Sequence, residues 1–212
     1  MSLPADKADP VARTRAFDTA EVGLRALRLL RSSHIFASAV REILEVRLLH
    51  EVSSLPLTTA QFNLLKMMSL NGRHQVGKIA DFLGVSAPAA SKTIDKLERL
   101  GLAVRTPSKG DRRATFLSVS GKGRRLVQKY EKLKAERLSS VLEDFKGEEI
   151  EQMARLLERF SVSLLAVGEP QDEYCLRCAA YLAADCPVGR RRGGCPYETV
   201  REAQGGAEEE DS

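Results

Sequence analysis

The stretch VSAPAASKTIDKLERLGLAVRTPSKGDRRATFLSVSGKGRRL, residues 85 to 126, combines the signals of a short helix, a basic hairpin and the start of a long helix. Ser86 is a good N-cap, and Pro88 falls in the first helical turn, where its missing amide hydrogen does no harm. Apolar residues recur at helical spacing before a terminating Gly101. They are Ala90, Ile94 and Leu97. The pattern predicts a helix of about 14 residues with one buried face.

Two short β-like runs follow this helix, Leu102 to Thr106 and Thr115 to Val119. The segment PSKGDRRA between them contains Pro107 and Gly110, which are turn residues, so the runs predict a hairpin with a long tip. Between residues 105 and 125, several basic residues face a single acidic one. The basic residues are Arg105, Lys109, Arg112, Arg113, Lys122, Arg124 and Arg125, and the acidic one is Asp111. Such a patch suits phosphate, although a solvated surface is the other interpretation of a run of this kind.

Helices are also predicted on the N-terminal side of this stretch. Residues 18 to 50 carry apolar residues at steps of mostly three and four, and they predict one long amphipathic helix or two stacked ones, which end before Pro56. Thr58 or Thr59 is placed to cap a second helix that closes at Gly72. The run VGKIADFLG then predicts a third, shorter helix.

Two more helices are predicted on the C-terminal side. Ser120 begins a long helix whose apolar face extends to Phe145. The last strongly periodic helix covers residues 148 to 167 and has acidic residues in its first turn, where the helix dipole favours them. Its apolar face is too long to be covered within one small monomer, which predicts an obligate dimer.

Three helices followed by a basic hairpin predict a winged helix-turn-helix, in a fold that is mostly α with a small β-hairpin wing. A recognition helix in the major groove needs short or hydrogen-bonding side chains on its exposed first turns. The candidate DNA-contacting residues of this helix are Ser86, Ala87, Pro88, Ala89, Ser91, Lys92 and Lys96. The serines are expected to donate to phosphates or base edges and the lysines to meet phosphates, with Ser86 also capping the helix.

The hairpin tip supplies the other candidate DNA contacts. Arg112 and Arg113 are expected to enter the adjacent minor groove, where the electrostatic potential is most negative. Asp111 would repel DNA if it were unpaired, so we expect it to pair with an arginine and fix the tip.

The segments LERLGLAVR and GDRRATFLSVSGKG resemble the recognition helix and wing of the MarR family of transcriptional regulators. The span from about residue 18 to 167 follows the order of helices in that family. The resemblance implies an interlocked homodimer in which two winged lobes read a palindromic operator in double-stranded DNA. It maps the family's wing Asp and Arg onto Asp111 and Arg113, and it implies a possible small-molecule effector.

The charge of the chain is unevenly distributed. The formal net charge is +4, yet residues 168 to 212 carry net −5, which leaves a basic body and an acidic tail. The N-terminus has no export signal and no stretch approaches the roughly 20 apolar residues that span a bilayer, so the sequence predicts a cytoplasmic protein without a membrane partner. The predicted regions are an N-terminal arm 1–17, a dimerisation region 18–55, a DNA-binding lobe 56–119, dimerisation helices 120–167, a cysteine tail 168–199 and a disordered acidic end 200–212.

All four cysteines of the chain lie in the tail, at Cys175, Cys178, Cys186 and Cys195. A cytosolic protein keeps thiols reduced, so disulfides are the weaker interpretation, and a thioredoxin-like pair would need a βαβ setting. Four thiolates in so short a segment predict a tetrahedral metal site that zinc or a [4Fe-4S] cluster would fill. The proline after two of the cysteines and the nearby tyrosines favour the cluster slightly, whereas folding of the tail alone would favour zinc.

The predicted function is therefore a DNA-binding transcriptional regulator, acting as a repressor, that senses redox state, oxygen or nitric oxide through an iron-sulfur cluster. One alternative keeps the regulator but gives it a structural zinc tail and a small-molecule effector. The alternative from another class is a redox or electron-transfer protein that uses the four cysteines. The body has no P-loop, GxGxxG or Ser-His-Asp set, so no enzyme is predicted. His34, His50 and His74 are expected to be surface or interface residues.

Overall fold

The computed structural model describes residues 19–83, 85–107, 115–167 and 186–192. The chain divides into two compact units, residues 1–43 and 44–212. The helices are α1 (Thr19–Ala39), a π-helix (Val40–Arg47), α2 (Leu48–Val52), α3 (Thr59–Asn71), α4 (Val76–Leu83), α5 (Ala87–Arg99), α6 (Gly121–Leu142), α7 (Gly147–Val167) and α8 (Pro187–Arg192). The strands are β1 (His74–Gln75), β2 (Ala103–Pro107) and β3 (Thr115–Val119). The predicted fold class, mostly helical with a small antiparallel wing, is confirmed.

The predicted N-terminal helix is present, but its C-terminal part is a π-helix, which the sequence pattern did not indicate. Each π turn offsets the backbone hydrogen bonds by one residue relative to an α-helix, and such segments are rare. The Tyr130 hydroxyl donates a 2.6 Å hydrogen bond to the carbonyl of Leu44. Tyr130 therefore links Leu44 to α6.

The core of the second unit lies between α2, α3, α5, α6 and the sheet. Thr58 caps α3 with a full capping box in which its side chain accepts from the amide of Gln61 and the Gln61 side chain accepts from the amide of Thr58. Gly72, at φ 78°, ends the same helix as predicted. The core residues with the largest fully buried side chains are Leu64, Leu65, Met67, Met68, Ile79, Ile94, Leu97, Leu102 and Leu117.

The sheet has three antiparallel strands in the order β1, β3, β2. The first wing strand begins at Ala103 rather than at the predicted Leu102, because Leu102 is still part of the turn that ends α5. The short strand β1 was not predicted, since a two-residue strand carries no alternating pattern. It pairs His74 with Leu117 and buries His74, so the expectation that this histidine lies at the surface or an interface was wrong.

A compact junction joins the recognition helix to the wing and to α6. The amide of Gly101 donates to the carbonyl of Glu98 and that of Leu102 to the carbonyl of Leu97, which is a Schellman motif with Gly101 in the left-handed conformation at φ 70°. The Ser120 hydroxyl caps α6 by accepting from the Gly123 amide, and it also donates to the carbonyl of Gly101 at 2.7 Å. Ser120 and Gly123 of the segment GDRRATFLSVSGKG are thus part of this junction.

Gly123 approaches the turn more closely than any side chain would allow. A Cβ at this position would lie 2.3 Å from the carbonyl oxygen of Leu102 and 2.8 Å from a methyl carbon of Val119. The Lys122 side chain donates to the carbonyl of Leu100, one of the last acceptors of α5. The end of the recognition helix, the base of the wing and the start of α6 are therefore held as one piece.

The two long C-terminal helices carry exposed apolar side chains. α6 ends at Leu142, so Phe145 lies beyond it rather than on its apolar face, because the chain turns before α7. The exposed large apolar residues of α6, α7 and their connection are Leu138, Val141, Phe145, Met153, Leu156, Leu164 and Val167. No helix in the described parts of the chain is both long and apolar enough to span a membrane.

Candidate nucleic-acid interface

The recognition helix α5 lies on the core through one face and presents the other to solvent. Its buried face is the predicted one, formed by Ala90, Ile94 and Leu97. The predicted DNA-contacting residues of its first turns are all exposed: Ser86, Ala87, Pro88, Ala89, Ser91 and Lys92. Lys96, one turn further along, is half-buried. The structure thus brings six of the seven predicted residues of this helix together on one open surface.

Ser86 occupies the N-cap position of α5 with an extended backbone, but its side chain accepts no capping hydrogen bond. The expectation that the Ser86 side chain caps the helix was therefore wrong, since only its backbone carbonyl closes the first turn, by accepting from the Ala90 amide at 3.0 Å. Pro88 lies in the first turn as predicted. The hydroxyl of Ser86 is left available at the exposed end of the helix.

Arg105, on β2, is bound by two carboxylates of the recognition helix. Its guanidinium donates to Asp95 at 2.7 Å and to Glu98, and its backbone amide donates to Glu98 at 3.1 Å. Arg105 is therefore not a free cation of the predicted basic patch, because its charge is paired with two carboxylates of the same chain. The basic residues between positions 105 and 125 are apparent from the sequence. The sequence does not show that helix α5 places two carboxylates beside Arg105.

The wing strands β2 and β3 pair from Ala103 with Val119 to Pro107 with Thr115. The predicted tip residues Asp111, Arg112 and Arg113 lie outside the described residues. Near the tip end of β3, the guanidinium of Arg73 lies over the ring of Phe116, 4.9 Å from its centre. This cation–π contact holds the exposed Arg73 beside the sheet. The sequence motifs did not identify this arginine.

A charged cluster joins α3 of the DNA-binding lobe to α6. Lys66 is almost fully buried and pairs with Glu131 at 2.8 Å, and Glu131 also pairs with Lys134 at 2.9 Å. Burial lowers the pKa of Lys66, because the charged ammonium loses hydration. Burial opposes the ionisation of Glu131, but hydrogen bonds from the two lysines outweigh it, so the pKa of Glu131 is lowered. Sequence reasoning missed this cluster, since nothing in the pattern of α3 distinguishes Lys66 from a surface lysine.

Tyr130 lies next to this cluster and contacts two other elements. Its ring packs against Phe62 of α3 with 4.5 Å between ring centres, and its hydroxyl binds the carbonyl of Leu44. Burial raises its pKa, so the hydroxyl stays protonated as a hydrogen-bond donor. Tyr130 and the Lys66–Glu131 pair therefore connect the DNA-binding lobe to α6 through both apolar and charged contacts.

Of the four predicted metal ligands, only Cys186 lies within the described residues. It is half-buried, directly before α8, and its sulfur accepts a 3.4 Å hydrogen bond from the amide of Gly189. Val188 packs against the core of the second unit. Cys175, Cys178 and Cys195 lie outside the described residues, and the described part of the chain by itself brings no three potential metal ligands together.

A lobe in which a buried three-helix core presents an exposed helix and continues directly into an antiparallel wing is a winged helix-turn-helix. Residues 55–114 match the sequence model of the MarR family. The match spans helices α3 to α5 and strands β1 and β2 of this lobe.

Solved structures share this fold. The RV1404 protein from Mycobacterium tuberculosis is 22% identical, with a TM-score of 0.56, and the match covers 69% of this chain and 95% of that one. A MarR family protein from Bacillus stearothermophilus is 23% identical, with a TM-score of 0.53 and coverage of 70% and 99%. MepR, a transcription regulator of the multidrug efflux pump MepA of Staphylococcus aureus, is 22% identical, with a TM-score of 0.52 and coverage of 62% and 97%.

Proposed function

We propose that this chain is a MarR-type transcriptional regulator that binds a palindromic DNA operator as a homodimer and thereby represses transcription. The observation that carries the proposal is the open surface at the start of α5, where short side chains and one lysine are exposed above a fully buried stripe. A major groove accepts a helix only if its leading side chains are short enough for close approach or able to hydrogen-bond base edges.

Each residue of this surface has a role that its chemistry suggests. Ser86 and Ser91 donate to phosphates or base edges, while Ala87, Pro88 and Ala89 permit close approach and contact thymine methyl groups. Lys92 and Lys96 neutralise phosphates, and Arg112 and Arg113 of the wing enter the minor groove beside Asp111. The serines would give sequence preference and the basic residues would give affinity.

This division is tested by fluorescence anisotropy titrations of labelled DNA over a range of salt concentrations. Arg113→Ala should weaken binding to all duplexes alike and reduce the slope of log K against log salt by about 1. Ser91→Ala should weaken binding to the selected operator more than to unrelated DNA and leave the slope unchanged. Ser140→Ala, at an exposed position of α6, is the matched control and should change neither quantity. An unchanged slope for Arg113→Ala would remove the wing from the proposed interface.

The homodimer follows from the exposed apolar surface of the helices. Leu156, Leu164 and Val167 of α7 are 49%, 61% and 88% exposed, and α1 exposes Leu24, Leu27 and Leu30 in its own unit. Large, apolar, helical surfaces of this kind are typical of obligate dimers, and a second copy of this chain is the occupant we propose. Sedimentation at micromolar concentration should give a dimer, and a stable folded monomer would refute it.

The tail is proposed to hold a metal centre through Cys175, Cys178, Cys186 and Cys195. The amide of Gly189 that donates to the Cys186 sulfur is the kind of hydrogen bond that supports a metal-bound thiolate, and it is compatible with either metal. A [4Fe-4S] cluster would supply sensitivity to oxygen, oxidants or nitric oxide, and in a reducing cytosol its thiolate ligands would remain available. Zinc would instead fold the tail without redox chemistry.

A sensing role needs contact between the tail and the body. Val188 packs on the core of the second unit and α8 contacts α7, so a change at the centre has a direct mechanical connection to the helices proposed for dimerisation. Loss of the cluster would then alter the spacing of the two recognition helices. This coupling supports a sensor over a passive appendage.

The metal is identified by the absorption spectrum and elemental analysis of protein purified without oxygen. A brown protein with a broad visible band indicates an iron-sulfur cluster, and its oxidation should change the affinity for the operator. A colourless protein with one zinc per chain would assign the tail a structural role and leave regulation to a small-molecule effector. Replacement of any one cysteine by serine should remove the metal while the winged lobe stays folded, and full occupancy in any single variant would refute a four-cysteine site.

A further inference from the structure

We infer that Arg105 is a positioning residue of the proposed DNA-binding surface. Arg105 binds Asp95 and Glu98 and thereby leaves Lys92 free to contact phosphate. The inference rests on the proposed DNA binding. Arg105 lies on the wing strand β2 and need not contact DNA itself. It nevertheless determines the charge that the recognition helix presents to DNA.

The geometry places one guanidinium between two carboxylates. Asp95 and Glu98 are three residues apart on α5 and therefore lie on the same side of the helix, where two like charges repel each other. Arg105 donates to both, at 2.7 Å to Asp95 and through its other terminal nitrogen to Glu98. Its backbone amide also donates to Glu98, which fixes β2 against the helix. A planar guanidinium can bridge two acceptors in this way, whereas a lysine ammonium cannot do so with the same geometry.

The helix spacing shows what Asp95 would do without this partner. Lys92 lies three residues before Asp95, within side-chain reach on the helix surface. Lys92 is exposed and has no ion pair within the described residues, while Asp95 pairs with Arg105. If the guanidinium were removed, Asp95 would become available to Lys92 as an internal partner. A lysine paired with a carboxylate releases no counterion from DNA, so one phosphate contact would be lost.

The negative charge of Asp95 would also lie closer to the phosphates. Its side chain is about half exposed, at 49%, whereas that of Glu98 is 27% exposed. Asp95 is therefore the carboxylate that matters for DNA, and Glu98 is the one that fixes the wing strand. The two acids have different roles, which predicts different results when each is neutralised.

The test compares salt slopes of DNA binding for variants in the full-length protein, with a duplex of mixed sequence as the probe. Arg105→Gln should reduce the slope of log K against log salt by about 1, because Lys92 is no longer available to phosphate. Asp95→Asn/Arg105→Gln should restore the wild-type slope, since the competing carboxylate is gone. Lys92→Ala should reduce the slope by about 1 alone but by nothing further when combined with Arg105→Gln.

A purely structural role for Arg105 gives a different pattern. If Arg105 only braced the wing, Asp95→Asn/Arg105→Gln would bind as weakly as Arg105→Gln, and that result would overturn the inference. An unchanged slope in Arg105→Gln, or additive effects with Lys92→Ala, would overturn it too. If Arg105→Gln fails to fold, Arg105→Lys provides the same comparison, because lysine can hold only one of the two acids at a time. Absence of salt-dependent binding by the wild-type protein would instead refute the proposed function, and the inference with it.

Discussion

Gly123 is the position where a single methyl group should test the junction between the recognition helix, the wing and α6. In Gly123→Ala the new Cβ would lie 2.3 Å from the carbonyl oxygen of Leu102 and 2.8 Å from Val119. Contacts this short cannot persist, and neither neighbour can move easily, since the amide of Ser120 donates to the Leu102 carbonyl at 2.9 Å and Val119 lies in the paired strand β3. The backbone of the turn or the start of α6 must therefore shift.

The size of the effect follows from two opposing terms. Overpacking a well-packed site costs about 1–3 kcal/mol, while alanine in place of glycine in a helix gains about 0.5–1 kcal/mol. Gly121 offers the matched control in the same helical turn, since a Cβ there would meet only the end of the Arg125 side chain, at 3.5 Å. Gly121→Ala should therefore be neutral or stabilising, and Gly123→Ala should be destabilising by about 1–2 kcal/mol, or about 3–6 °C in Tm.

Thermal unfolding followed by circular dichroism measures both variants at one fixed protein concentration, because the proposed dimer formation would make Tm concentration-dependent. Gly123→Ala should also weaken DNA binding, since the base of the wing and the end of α5 move together. Equal Tm values for the two alanine variants would refute the junction as described. A destabilised Gly123→Ala with unaltered DNA affinity would separate the junction from the reading surface.

Three further predictions concern buried polar groups. Tyr130→Phe removes the donor to the Leu44 carbonyl but keeps the ring, so it should lower the free energy of unfolding by about 1–3 kcal/mol in urea titrations. Burial lowers the pKa of His74 to about 4, below its unfolded value. The free energy of unfolding should therefore fall by up to about 3 kcal/mol as the pH drops from about 6.5 to 4. The difference between wild type and His74→Leu isolates this contribution, and equal pH profiles of the two proteins would contradict it. Lys66→Met leaves Glu131 with one partner fewer and should cost about 1–3 kcal/mol, most of which Lys66→Met/Glu131→Gln should recover.

The recognition helix and wing were predictable because their signals are local. Pro88 in the first turn, the apolar stripe and Gly101 at the end of α5 act within one helix, and each is present in the structure. The boundary of α3 was predictable for the same reason, since a capping threonine and a terminal glycine act on neighbouring amides and carbonyls. Secondary structure that is decided by a few adjacent residues can be read from the sequence.

The features that were missed depend on contacts distant in sequence. Strand β1 exists because β3 pairs with His74 and Gln75, more than 40 residues away in sequence. The carbonyl of Leu44, in the π-helix, accepts from Tyr130, and Arg105 pairs with a carboxylate of the helix that precedes it. Nothing in the local pattern marks Lys66 as buried. Tertiary packing determines these four features. The charge or periodicity of one sequence segment does not indicate how that segment packs against distant ones.

Binding-site selection from random-sequence duplexes tests the central claim, sequence-specific DNA recognition by a dimer, most directly. The enriched DNA should contain an inverted repeat whose half-sites are centred about 10 base pairs, or a multiple of that, apart, and Ser91→Ala should bind it more weakly than wild type does. Failure to enrich any sequence, or enrichment of a single unrepeated half-site bound by one protomer, would contradict the account.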